Sequence, residues 1–132
     1  MTVTSRAIQA AAMWCVVTAG FSSNAADAPR VEKRCGWVSN PTPGNWSLID
    51  KDGEWAIAAQ GEEGALDGLP EDRPSGRHWW VSTNSGGYGY GCMSLQVAVD
   101  KQTKRVLKIE GGKSLPLTTC RKDRAIRKLE PR

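Results

Sequence analysis

The sequence predicts a mainly β fold, with α+β as the alternative: a small antiparallel sheet or partly closed barrel of five to six strands and one C-terminal helix. Three observations lead there. Short runs rich in Trp, Tyr, Val and Ile alternate with turns built from Gly, Pro, Asn and Asp. Two pairs of such runs are joined by tight polar turns of the hairpin kind. The one stretch with helical spacing lies near the end of the chain.

In chain order, Cys35-Gly36-Trp37-Val38 makes a first short strand. Asn40–Asn45 follows as a loop, because Pro41 and Pro43 fix φ and push the residues before them out of the helical region. Trp46–Asp50 and Glu54–Ala58 flank Lys51-Asp52-Gly53, a hairpin signal, with Trp55, Ile57 and Ala59 on one face. Gly61–Gly76 reads as a long acidic surface loop with a short turn near Leu66–Leu69. Trp79–Thr83 is a strand and Asn84–Gly87 a turn. Tyr88–Cys92 then leads into Ser94–Val99, where Leu95, Val97 and Val99 share a face. Asp100–Thr103 turns the chain into Lys104–Ile109, with Leu107 and Ile109 at alternating spacing. Pro116 ends a further extended piece. Thr118 or Thr119 caps a helix over Arg121–Leu129, with Ile126 and Leu129 on one side.

The N-terminus has the three-part layout of a secretory signal. A short stretch carrying Arg6 precedes the apolar run Ala7–Phe21, and Ser23 and Ala25 fit cleavage after Ala25. The apolar run is shorter than the roughly 20 residues a membrane span needs. The expected organisation is therefore a signal peptide over 1–25, a flexible leader over 26–33, and a single disulfide-containing β-rich domain over 34–132. The expected location is periplasmic or secreted, with no transmembrane segment after cleavage. Cys15 leaves with the signal, and Cys35, Cys92 and Cys120 remain. An oxidising compartment favours one disulfide among those three and leaves one thiol over.

Charge is unevenly spread. Residues 26–100 carry 6 Lys/Arg against 11 Asp/Glu, and residues 101–132 carry 11 against 3. A basic end of this kind suits an acidic partner, but runs of charge are more often solvated faces. Nucleic acid is not expected, since no binding motif accompanies the basic run.

The aromatic residues are the main candidates for function. Trp and Tyr offer flat apolar area with a polar handle, and no Phe follows the signal. Trp37, Asn40, Asn45, Trp46, Trp80, Asn84, Tyr88 and Tyr90 form the candidate binding face, and three of the five tryptophans are expected to be core. The alternating glycines of Gly86–Gly91 either let another backbone or a ligand approach closely or accommodate packed tyrosines in a bulged strand. No catalytic constellation is visible. His78 is the only histidine, and Asp50/Asp52 and Glu62/Glu63 are explained by a turn and a loop. No metal or other cofactor is expected, because one histidine and three unclustered cysteines do not make a ligand set.

Three groups of residues carry a resemblance. They are Arg34-Cys35-Gly36-Trp37 with Asn40–Trp46 and Asp50-x-Asp52-Gly53-x-Trp55; Trp80-Val81-x-Thr83-Asn84 with Tyr88–Cys92; and Pro116-Leu117-x-x-Cys120-Arg121-x-Asp123. Together they resemble the bacterial domain-of-unknown-function family 4087 over about Arg34 to Leu129. The resemblance implies an exported envelope protein and supplies no mechanism. The family pattern has Cys-x-Cys where this chain has Cys92-Met93-Ser94. Two bridges are implied for that pattern, so Ser94 leaves one cysteine single, and which one stays open. The expected function is a non-enzymatic binding module contacting an envelope or extracellular protein or glycan. The alternatives are a proteinaceous inhibitor of a hydrolase such as lysozyme, and a cell-wall-directed enzyme using His78 or an acidic pair.

Overall fold

The computed structural model describes residues 29–71 and 74–132, so the expected signal peptide and the start of the leader lie outside the described residues. Six strands are formed: β1 Val31–Thr42, β2 Asn45–Asp50, β3 Gly53–Ala58, β4 Trp80–Ser82, β5 Gly89–Asp100 and β6 Arg105–Leu115. They build one mixed sheet in the order β1-β2-β3-β6-β5-β4, and β1 also pairs with β5. The sheet thus curls back on itself and is partly ring-like. Its weakest seam is the parallel contact of β3 with β6, at Ala56 and Arg105. There the Ala56 amide donates to the Lys104 carbonyl at 2.9 Å.

β1 is three times as long as the expected strand. It begins at Val31, inside the stretch read as a leader, and runs through Asn40, read as loop. The cause is non-local: β5 offers ten consecutive antiparallel partners, from Val31↔Ala98 to Asn40↔Gly89. The two hairpins stand as expected, β2 with β3 around Lys51-Asp52 and β5 with β6 around Lys101–Lys104. Asp100 organises the second turn by accepting from the amides of Gln102 and Thr103.

The inner face carries Val38, Leu48, Trp55, Ile57, Met93, Leu95, Val97, Val99, Val106 and Ile109 as a continuous core. The expected sharing of a face by Leu107 and Ile109 does not hold: Leu107 is 49% exposed and Val106 is buried. The register explains it, because Ala98 faces Lys108 while Val99 faces Val106, so Leu107 is the extra residue of a bulge. Part of the expected surface loop packs on the core instead. Ala65, Leu66 and Leu69 pack against the inner cluster, anchored by the Ala65 amide on the Ile57 carbonyl. A short 3-10 turn, Leu66–Gly68, lies so close to β6 that a Cβ on Gly68 would fall 1.8 Å from the Ile109 oxygen.

A second apolar layer covers the outer face of β1 and β5, built from Trp37, Tyr90, Cys92, Leu117, Cys120 and Ile126. Cys92 and Cys120 form a disulfide, with Cα atoms 5.9 Å apart, and Cys35 is free and exposed. The terminal helix differs from expectation: α1 spans Leu117–Lys122 with Pro116 at its N-cap. Asp123 stops it, because its side chain accepts from the Ala125 amide and its carbonyl from the Arg127 amide. A 3-10 turn, Arg127–Leu129, comes next. Ile126 is buried but Leu129 is 42% exposed, so their spacing does not mark one buried helical face.

Candidate functional site

The two ends of the ring differ in chemistry. At one end the inner face is closed by ions. Arg34 donates to Asp50 at 2.6 Å, to Asp52 at 2.9 Å and to Glu32 at 2.8 Å. Asp50 accepts in turn from the Trp55 indole at 3.0 Å and from the Asp52 amide at 2.8 Å. The Arg34 guanidinium and the Lys104 ammonium each lie 4.2 Å from the centre of the Trp55 ring. Burial opposes the Arg34 charge, but the carboxylates outweigh it and raise its pKa. The hydrogen bond from Arg34 holds the Asp52 carboxyl below the usual range. This end is a plug with its polar groups paired, and it accounts for the acidic pair Asp50/Asp52 structurally.

The other end opens into a cleft of about 700 Å³. Trp46 from β2, Trp79 and Trp80 at the start of β4, Tyr88 before β5 and Asn40 from β1 line it. Its floor includes Met93 and Ser114, which face each other across β5 and β6. Trp46 and Trp80 are 6.4 Å apart between ring centres and tilted by 46°. The Trp80 indole donates to the Gly87 carbonyl at 3.1 Å, which ties the ring to the glycine turn. Gly91 supplies the room: a Cβ there would lie 2.9 Å from the Trp80 ring. Of the two readings of the glycine segment, close approach by neighbouring protein groups is therefore what Gly91 serves.

The eight candidate residues separate into three groups. Asn40, Trp46, Trp80 and Tyr88 meet in the cleft. The Asn40 amide nitrogen faces the carbonyl oxygens of Thr42 at 2.7 Å and Asn45 at 2.9 Å, which fixes its orientation at the rim. Asn45 and Asn84 hold turns together. Asn45 accepts from the Gln60 amide and donates to the Thr42 hydroxyl. Asn84 accepts from the Gly86 amide and reaches the Pro41 carbonyl. Trp37 and Tyr90 are buried on the opposite, outer face, at 5.6 Å and nearly perpendicular. Trp37 donates to the Ile126 carbonyl at 2.9 Å and Tyr90 to Glu130 at 2.9 Å, so both secure the C-terminal segment. Burial first, and then Glu130, raises the Tyr90 pKa. Two tryptophans, Trp37 and Trp55, are fully buried, whereas Trp46, Trp79 and Trp80 are half-buried around the cleft.

Strand parity separates Trp37 and Tyr90 from Trp46 and Trp80, but parity becomes usable only when both faces of the sheet are known to be covered. Sequence reasoning missed Ser114. Its hydroxyl oxygen is buried and has no hydrogen-bond partner among the described residues, and nothing in the surrounding Lys113-Ser114-Leu115 marks it. The His78 side chain is exposed, and the residue contributes through its carbonyl, which accepts from the Leu117 amide.

The family described as protein of unknown function DUF4087 matches residues 29–127. The chain belongs to that family. DUF4087 membership covers the ion-plugged end, the indole cleft and the outer aromatic layer together, since all three lie within the matched span. No curated protein and no solved structure matches the chain.

Proposed function

We propose that this DUF4087 chain is an exported, non-catalytic binding module of the cell envelope whose ligand sits in the indole cleft. The observation that carries the reading is convergence. Four of the eight residues singled out by type alone come from separate stretches of the chain and line one cleft. A cleft of about 700 Å³ is within the roughly 300–1,000 Å³ typical of small-ligand sites, and aromatic walls with a few polar groups are their usual lining. Export is supported by the signal-like N-terminus and by the Cys92–Cys120 bridge, which suits an oxidising compartment. Among the described residues, no helix is long and apolar enough to cross a membrane.

Two measurements test it. Fractionation with N-terminal sequencing should recover a chain starting at Ala26 from the envelope, and a full-length chain in the cytosol would overturn export. The immobilised mature protein should retain an envelope component that Trp80→Ala and Tyr88→Ala both release. Equal retention by wild type and both variants would remove the cleft as the ligand seat.

A further inference from the structure

We infer that the cleft is built for a saccharide, an inference that rests on the proposed binding role and names the class of its ligand. The walls are flat rings rather than branched aliphatics: Trp46, Trp79, Trp80 and Tyr88. A pyranose ring has one face of C–H bonds and a rim of hydroxyls. It therefore stacks on an indole while needing hydrogen bonds around its edge. The edge groups are present. Ser75, Ser82 and Ser114 line the same cleft. Each hydroxyl both donates and accepts, as sugar hydroxyls do.

Ser114 adds the second observation. Its oxygen is buried and lacks a partner among the described residues, an unfavourable condition for a polar group, and the residue lines the cleft. A ligand hydroxyl arriving there would satisfy it. Charge narrows the choice further. Arg77 is the only side chain charged at neutral pH among the described lining residues, so the seat favours neutral or acidic sugars over amino sugars bearing a free ammonium. An extended proline-rich peptide is the competing ligand for an aromatic groove. It docks as a preformed polyproline helix. Its prolines carry no N–H, so it offers the cleft hydroxyls fewer donors than a sugar does.

The experiment uses the oxidised mature protein and four defined probes: linear trisaccharides of glucose, N-acetylglucosamine and galacturonate, and decaproline. Indole N–H resonances and tryptophan emission are followed on titration. At least one trisaccharide is expected to shift the cleft indoles saturably, with decaproline inert. Trp80→Ala should weaken that binding at least tenfold. Because that variant disturbs packing, Ser114→Ala serves as the second probe. It should weaken saccharide binding several-fold while leaving the thermal midpoint unchanged or higher, which loss of a merely structural hydroxyl would not do. Saturable binding of decaproline with no response to any trisaccharide would overturn the saccharide assignment and leave the cleft as a binding site. Silence toward all four probes would also overturn it, and retention of an envelope component by the immobilised protein reports separately whether the cleft binds anything.

Discussion

Replacing Ser94 by Cys should create a second disulfide, to Cys35. The two residues are direct antiparallel partners on β1 and β5. Direct partners project from the same face with Cα atoms about 4.5–5.5 Å apart, inside the roughly 4.4–6.8 Å that disulfides span. Cys35 is exposed and open to oxidant, and Ser94 is 6% exposed. The new bridge would close a loop of about 60 residues, which the chain-entropy relation values at about 4 kcal/mol. For a protein of this size that corresponds to a rise in the urea midpoint on the order of 2–3 M. Thiol titration under denaturing conditions should fall from one thiol in the oxidised mature wild type to none in Ser94→Cys. A non-reducing peptide map of the variant should join the segment containing Cys35 to the segment containing position 94. Two free thiols after oxidation, or a bridge from Cys35 to Cys92 instead, would refute the register on which the reasoning stands. A correct bridge with a lowered urea midpoint would refute the magnitude.

Other expectations rest on the same contacts. Asp50→Ala removes the acceptor of Arg34, the Trp55 indole and the Asp52 amide at once, so chemical denaturation should show a loss of about 3 kcal/mol; Asp50→Asn, which keeps an acceptor for the indole, should lose less. Gly91→Val should displace the Trp80 ring, lower stability by roughly 1–3 kcal/mol and red-shift tryptophan emission as the cleft opens. The C-terminal clasp should loosen at both extremes of pH. The Arg121 hydrogen bond holds Glu130 below its ordinary value, so its contribution is complete above about pH 4.3 and is lost as pH falls through the lower folded value. The Tyr90 pKa is raised, so its contribution holds below about pH 10 and is lost as pH rises through the folded value. The Trp37 indole N–H, bonded to the Ile126 carbonyl, reports both limbs by NMR, and Glu130→Gln should flatten the acid one.

What the sequence made legible was local. The Lys51-Asp52-Gly53 turn and the Asp100–Thr103 turn each carry their own backbone chemistry, and both hairpins form around them. What it concealed was decided by partners far along the chain. β1 extends to Val31 because β5 is there to pair with it. Leu107 is exposed because a bulge advances the register by one residue, which alternation alone does not reveal. The terminal helix is short because Asp123 closes it, while the Cys92–Cys120 bridge holds the helix and Trp37 holds Ile126 against the sheet. The site was half legible for a related reason. Residue type picked out the aromatics, and only the two-sided covering of the sheet divided them into cleft and outer layer. Ser114 carried no signal, since an isolated serine between Lys113 and Leu115 resembles any strand residue.

The pairing of β1 with β5 also governs the order in which the chain can assemble. Val31–Asn40 is made first and, on the proposed export, emerges well before Gly89–Ala98, the ten residues that complete its hydrogen bonding. Through that interval β1 has only β2 as a neighbour, and its other edge presents unpaired backbone N–H and C=O groups to any chain nearby. Closure over so long a separation belongs to the slow class of topologies, milliseconds to seconds rather than microseconds. Refolding yield should therefore fall steeply with protein concentration, whereas the finished ring, with β1 paired on both sides, should be indifferent to it.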